Sequence, residues 1–114
     1  MGLAFREVEI NGRRYRALID TGYNGRVLVS GRVAKELGLR VIGEGERTTV
    51  DGRRVKVKAS YGKPRIDDAE GYALIEVIDE LPLDVLIGVI ALEELGFVVD
   101  PTTGRLRRVG PIAF

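Results

Sequence analysis

The sequence predicts a single, mainly β domain that carries two short helices. Apolar and charged residues alternate in short runs, which is the period of a half-buried strand. Two dipeptides that favour tight hairpins, Asn11-Gly12 and Asp51-Gly52, lie between such runs. Two amphipathic stretches of about two turns each end in a Leu-Gly pair, at Gly38 and Gly96. A chain of 114 residues can bury a core of its own, so we expect residues 1–114 to form one domain.

Local signals predict the elements of the amino-terminal part in order. Residues 5–10 alternate between apolar and charged side chains, which predicts a strand. The Asn11-Gly12 turn then joins it to an apolar return strand at residues 15–19. Residues 27–29 are apolar and short, which is typical of a buried strand. Ser30 is a favourable N-cap, so we expect a helix over residues 31–37 that stops at the following glycine.

The rest of the chain predicts further hairpins and a second helix. Residues 47–59 alternate on both sides of Asp51-Gly52, so we expect a hairpin with a type I′ turn at this dipeptide. Residues 67–71 predict a turn into a strand at residues 72–78, and Pro64 confines the strand around it to a sheet edge. The remaining elements are a buried strand at residues 84–88, a helix at residues 89–95 and a last hairpin at residues 97–109.

Composition and charge exclude several kinds of function. The chain has no cysteine and no histidine, which removes disulfide frameworks, the usual zinc ligands, cysteine nucleophiles and triads that need histidine. Its 18 basic and 17 acidic residues give a net charge of +1, without the electrostatic footprint of a nucleic-acid-binding protein. No apolar run approaches the roughly 20 residues that span a bilayer. We therefore expect a soluble, cytoplasmic protein that binds neither nucleic acid nor membrane, and the high charge content is compatible with a thermophilic source.

One carboxylate occupies an unusual position in the sequence. The apolar residues 17–19 run directly into Asp20, Thr21 and Gly22, so a buried strand delivers one acid to a loop. An ionised carboxylate there is costly unless it is hydrogen-bonded or lies in a cleft, so either catalysis or an ordinary turn explains it. One Asp cannot be both acid and base, so hydrolysis by paired carboxylates needs a second carboxyl group from elsewhere. A symmetric homodimer supplies it, because Asp20 of each chain would meet at the two-fold axis.

Metal and phosphate loops fit the sequence poorly. Residues 20–25 match the opening of a calcium loop in part, but Gly22 and Gly31 stand where that motif needs Asp or Asn and then Glu. A phosphate-binding loop of the G-x-x-x-x-G-K-[ST] type does not occur in the sequence. We therefore expect no metal and no cofactor.

These motifs together resemble the retropepsin-like aspartic proteases of clan AA, in particular their small bacterial and archaeal members. Residues 17–22 resemble the catalytic motif, and residues 47–59 occupy the place of the flap hairpin. Residues 85–88, followed by a helix, resemble the second signature, and the same strand, loop and helix pattern at residues 18–39 forms an internal echo of it. The resemblance covers nearly the whole chain and implies a small closed β-barrel that is active as a symmetric dimer.

The resemblance also implies an activity and a role for each site residue. The activity is that of an aspartic endopeptidase, in which Asp20 of each chain holds one water between them. Thr21 would hydrogen-bond across the dimer, and Gly22 would let the backbone approach the carboxylates. The implied substrate-binding residues are Val50, Asp51, Gly52 and Arg53 of the flap with Tyr23 and Asn24 of the loop. The apolar stretch at residues 109–114 would contribute to the dimer interface, or else Ile112 and Phe114 would tuck back onto their own chain and cover the core.

Two other classes of function compete with this interpretation. A noncatalytic dimeric module that binds peptides and keeps the same fold is the main alternative, because the sequence does not separate it from an enzyme. A small nucleic-acid-binding barrel is disfavoured by the balanced charge and by the lack of a run of exposed aromatic residues.

Overall fold

The computed structural model describes residues 3–100 and 102–110 of the chain. This part is mainly β, as predicted, with eleven strands and two short helices. The strands are β1 (Leu3–Ile10), β2 (Arg13–Asp20), β3 (Val27–Ser30), β4 (Gly43–Thr48), β5 (Arg54–Gly62), β6 (Pro64–Ile66), β7 (Ala69–Glu70), β8 (Ala73–Ile78), β9 (Val85–Gly88), β10 (Phe97–Val99) and β11 (Leu106–Arg108), and the helices are α1 (Gly31–Leu37) and α2 (Val89–Glu94).

Nine of these strands form one sheet, in the order β4-β5-β8-β3-β9-β2-β1-β6-β7, and β10 pairs with β11 in a second sheet. The order begins at β4 and ends at β7, and within the described residues no ladder joins these two ends. The predicted closed barrel is therefore wrong. β7 has only two residues, and the side chains of β4 are exposed or only partly covered, so neither end offers an apolar surface that closure would bury.

The first hairpin and the first helix are confirmed. Asn11 and Gly12 have φ of 52° and 83°, which a two-residue hairpin turn with the right twist requires. Ser30 caps α1 by accepting a hydrogen bond from the Val33 amide at 3.2 Å, and Gly38 ends the helix in the left-handed conformation with φ of 63°. The predicted bounds of α1 are those of the structure.

The turn of the long hairpin differs from the prediction. Gly52 has φ of 85°, but Asp51 is not in the left-handed region, so the type I′ turn is wrong. The reversal is wider: the Gly52 amide donates to the Thr49 carbonyl at 2.9 Å, and the Thr49 amide donates to the Arg53 carbonyl at 2.8 Å. The Thr49 hydroxyl donates to the Asp51 carboxylate and accepts from the Arg53 amide, so side-chain bonds hold this wider loop.

The segment around Pro64 also pairs differently from the prediction. The end of β5, Lys58–Gly62, pairs directly with β8, and residues 63–72 leave the ladder to form β6 and β7. β6 pairs with β1 on one side and with β7 on the other, so the predicted edge position of Pro64 is wrong. Pro64 is tolerated there because it is the first residue of its strand.

The core draws buried side chains from strands of this sheet and from both helices. Its largest fully buried members include Ile10, Ile66, Ile75, Ile87 and Leu92. Alternate residues of β2 are buried, namely Tyr15, Ala17 and Ile19. The chain therefore reaches the edge of the core at Asp20, the last residue of this strand. In the described part of the chain, no helix has the length and apolarity that a membrane span requires.

Candidate active site

Asp20 is the last residue of β2, at the point where this strand leaves the core. It stands in register with Gly88 on the parallel strand β9. The Gly22 amide donates to Asp20 Oδ1 at 3.0 Å, and the Tyr23 amide donates to the Asp20 carbonyl at 3.1 Å. The first bond orients a partly exposed carboxylate, and the second closes the tight loop that carries it.

The loop of Asp20 is fastened to the junction between β9 and α2. The Val89 and Ile90 amides donate to the carbonyls of Tyr23 and Gly25 at 2.9 and 3.0 Å. The first amides of a helix have no partner within the helix, so the loop satisfies donors that α2 leaves open. The internal echo in the sequence therefore has a physical meaning, since the second strand, loop and helix unit holds the first in place.

Gly88 fills a position that no larger residue fits. A Cβ built on Gly88 would lie 2.5 Å from the Gly25 carbonyl oxygen and 2.7 Å from the Tyr23 carbonyl oxygen. Both atoms belong to the backbone of the loop, so the loop itself sets this constraint. A Cβ on Gly22 would instead meet Asp20 Oδ1 at 3.4 Å, which is an ordinary contact.

Sequence reasoning missed Arg47 and Glu76, which lie beside the loop. Arg47 projects from β4, where its Nη1 donates to the Tyr23 hydroxyl at 3.2 Å and its Nη2 pairs with the Glu76 carboxylate of β8. Partial burial opposes the charge of the guanidinium, but the hydrogen bond to Tyr23 and the charge of Glu76 outweigh it and raise the pKa of Arg47. The sequence signal for Arg47 is only that of a polar residue in an alternating strand.

The predicted site residues fall into two groups. Asp20, Thr21, Gly22, Tyr23 and Asn24 share the loop after β2. Thr21 also lines two cavities of about 310 and 300 Å³ that open toward the last hairpin.

The other group occupies the tip of the β4–β5 hairpin. Val50, Asp51, Gly52 and Arg53 are all exposed there, and Val50 is fully so. The hydrogen bond from Thr49 lowers the pKa of the Asp51 carboxyl below its usual value.

Two further expectations concern metals and the carboxyl terminus. Within residues 3–100 and 102–110, no group of three or more acidic side chains is arranged to hold a metal ion. The Val109 amide donates to the Gly96 carbonyl at 2.8 Å, which fastens the chain after β11. Residues 111–114, the rest of the predicted interface segment, lie outside the described residues.

Known proteins resemble this chain in sequence pattern and in fold. A family model described as aspartyl protease matches residues 6–91. No curated protein matches the sequence. The retroviral protease-like domain of Ddi1 from Leishmania major is similar in structure, with a TM-score of 0.66 and 17% identity over 95% of this chain and 89% of that one.

Two viral proteases are similar as well. The EIAV protease, solved with the inhibitor HBY-793, has a TM-score of 0.71 and 20% identity over 83% of this chain and 89% of that one. The protease of simian foamy virus (mac) has a TM-score of 0.59 and 20% identity over 81% of this chain and 94% of that one. At these identities the likeness concerns the fold, which these proteins share.

Proposed function

Since the chain belongs to the aspartyl protease family and has a retropepsin-like fold, we propose that it is an aspartic endopeptidase whose active form is a symmetric homodimer. The observation that supports this most directly is the setting of Asp20. Its carboxylate ends a buried strand, accepts the Gly22 amide at 3.0 Å and belongs to a loop that α2 holds in place. Such a carboxylate is positioned before any substrate binds, as efficient catalysis requires.

The homodimer follows from what the reaction needs. One chain carries one Asp20, whereas hydrolysis by this chemistry uses two carboxyl groups that share a proton. A two-fold axis that passes beside the loop would bring Asp20 of both chains together. Thr21 and Gly22, which follow Asp20 directly, would then lie at the same axis and hold the two loops against each other.

In the proposed reaction, the two Asp20 carboxyl groups hold one water molecule between them. The ionised carboxylate takes a proton from this water while the oxygen of the water attacks the carbonyl carbon of the peptide bond. The protonated carboxyl gives its proton to the carbonyl oxygen. The tetrahedral intermediate then collapses: the amine takes the proton that the first carboxylate received from water, the C–N bond breaks, and the second carboxylate recovers a proton from the diol. Because the pair must hold one proton in total, we expect an acidic to mildly acidic pH optimum.

The substrate we propose is an extended peptide. It would lie between the loop of Asp20 and the β4–β5 hairpin, and bind through main-chain hydrogen bonds as an added strand. The exposed tip residues Val50 to Arg53 would cover it from one side, and Tyr23 and Asn24 would contact it from the other. Binding through the peptide backbone selects for extended chains more than for a particular side chain.

The test is Asp20→Asn, which removes the acid without changing its size. We expect the variant to lose hydrolysis of a peptide library while its circular dichroism and its mass in sedimentation stay those of the parent. Asp67→Asn is the matched control, since it makes the same change at a turn residue with φ of 55°, which Asn also adopts readily. The ion pair of Asp67 with Arg6 is largely exposed and contributes little to stability. An Asp20→Asn protein that still hydrolyses peptides refutes the assignment, and a parent that binds but never cleaves them favours the noncatalytic module.

Mixing tests the shared site itself. Parent and Asp20→Asn chains are combined in equal amounts and allowed to exchange. If both subunits supply a carboxylate, about a quarter of the dimers keep two of them, and activity per total chain falls to about a quarter of that of the parent. In a mixture whose chains have fully exchanged, a value of about half would mean that each chain acts by itself, which contradicts the dimeric mechanism.

A further inference from the structure

The outer part of the β4–β5 hairpin extends beyond the ladder that ties it to the rest of the sheet. β5 pairs with β8 from Lys58 to Gly62, and its residues before Lys58 pair only with β4. A cavity of about 380 Å³, lined on one side by Thr49 and Val55 and on the other by Leu81 and Pro82, flanks this outer part. The position of the outer hairpin therefore depends on side-chain contacts rather than on backbone pairing.

Arg47 makes such a contact from the outer part of the hairpin. It lies opposite Val55, beyond the end of the β5–β8 ladder. Its guanidinium reaches the Tyr23 hydroxyl at 3.2 Å and the carboxylate of Glu76 at the same time. A planar guanidinium can satisfy two acceptors in fixed directions, which a lysine ammonium does less well.

The ion pair of Arg47 differs from the other pairs of the hairpin. The side chains of Arg47 and Glu76 are 45% and 15% exposed, so solvent and salt screen this pair less than a fully exposed pair. In the pair between Arg54 and Glu46, the side chains are 77% and 52% exposed, and such pairs contribute little. Arg54 therefore offers a control within the same hairpin.

Tyr23 is a fixed partner for Arg47. Its ring covers Gly25 and Gly88 so closely that a Cβ on these glycines would lie 2.2 and 2.6 Å from ring carbons. Its carbonyl accepts from the Val89 amide, and its own amide donates to the Asp20 carbonyl at 3.1 Å. A bond to the Tyr23 hydroxyl is therefore a bond to the loop that carries Asp20.

We propose that Arg47 is a positioning residue, which ties the flap hairpin to the loop of Asp20 through the Tyr23 hydroxyl and the Glu76 carboxylate. Its effect on turnover rests on the proposed function, whereas the tie itself does not. With the tie intact, the hairpin stays over the loop and the peptide enters an ordered cleft. Without it, the hairpin swings about the end of the β5–β8 ladder near Lys58.

Hydrogen exchange tests the tie without any need for activity. Tyr23→Phe removes only the hydroxyl, and Arg47→Met removes the guanidinium but keeps most of the stem. We expect the amides of residues 45–57 to exchange about tenfold faster in both variants, because one charge-assisted hydrogen bond is lost, while the amides of residues 58–62 keep the parent rate. Tyr61→Phe and Arg54→Met are the matched controls and should exchange as the parent does. Equal exchange in all four variants overturns the proposal.

Kinetics then test the effect on turnover. We expect Arg47→Met and Tyr23→Phe to raise KM for a long peptide by about tenfold, with a smaller change in kcat and the same pH profile, since the carboxyl pair is untouched. Arg47→Lys should recover part of the loss. Unchanged KM in a variant with faster exchange overturns the positioning role. A parent without hydrolysis defeats the proposed function instead, and the exchange comparison still decides whether Arg47 makes the tie.

Discussion

Replacing Gly88 with alanine should destabilise the fold and displace the loop of Asp20 together. The added Cβ would lie 2.5 and 2.7 Å from the carbonyl oxygens of Gly25 and Tyr23 and 2.6 Å from the ring of Tyr23. Real Cβ atoms essentially never approach other atoms this closely. Because the two oxygens belong to the backbone, the clash can be relieved only when the loop moves away from β9.

The magnitude follows from the contacts that this movement breaks. The two carbonyls accept hydrogen bonds from Val89 and Ile90, and each bond contributes about 0.5–1.5 kcal/mol to the free energy of unfolding. Overpacking of a tight site adds about 1–3 kcal/mol. We therefore expect the free energy of unfolding to fall by about 2–6 kcal/mol.

Urea unfolding followed by circular dichroism measures this loss, at one fixed protomer concentration because a dimer gains stability from association. Gly45→Ala is the matched control, since a Cβ on Gly45 in β4 meets nothing within 4 Å. We expect the control to lie within about 0.5 kcal/mol of the parent and to keep peptidase activity. If Gly88→Ala unfolds at the same urea concentration as Gly45→Ala, the close packing of loop and strand does not constrain this site.

Three further predictions concern other parts of the molecule. Gly22→Ala should leave the free energy of unfolding within about 1 kcal/mol of the parent, because the new Cβ makes an ordinary contact at 3.4 Å. It should reduce peptide hydrolysis, because a partner chain or a substrate would approach Gly22 closely. Unchanged hydrolysis would argue against that approach. The hydroxyl and amide of Thr102 lower the pKa of Asp100 below its usual 3.8, so this carboxylate stabilises the fold above that pH and the effect is lost as the pH falls through the lowered value. Melting curves between pH 2 and 6 should therefore decline less steeply in Asp100→Asn than in the parent, and equal slopes would contradict the assignment. Truncation after Gly110 keeps the Val109 bond but removes residues 111–114, and should shift the sedimentation mass toward monomer with loss of activity, whereas an active truncated dimer would exclude a terminal interface.

Much of the fold could be predicted from signals between residues that are close in the sequence. Ser30 and Gly38 act within one turn of α1, so the residues themselves set its two ends. Asn11 and Gly12 likewise fix the first hairpin, because few residues adopt the conformation that its turn requires. The loop of Asp20 was predictable for a similar reason, since a charge after an apolar strand is costly without a specific setting.

Contacts between distant segments are the part that local patterns do not contain. Arg47 meets Tyr23 and Glu76, which lie 24 and 29 positions away, and an alternating strand gives no sign of such partners. The type I′ turn was wrong because the side chain of Thr49 supports a wider loop. The closed barrel was wrong because closure requires a ladder of hydrogen bonds between the two outermost strands, and β7 has only two residues with which to form one.

The way α2 holds the loop of Asp20 has a consequence for biosynthesis. The loop carbonyls of Tyr23 and Gly25 accept hydrogen bonds from the amides of Val89 and Ile90, which the ribosome adds much later. A nascent chain that ends before these residues cannot complete the loop of Asp20, however well its first hairpin has folded. The setting of the Asp20 carboxylate is therefore completed only late in synthesis, long after the strand that carries it has been made.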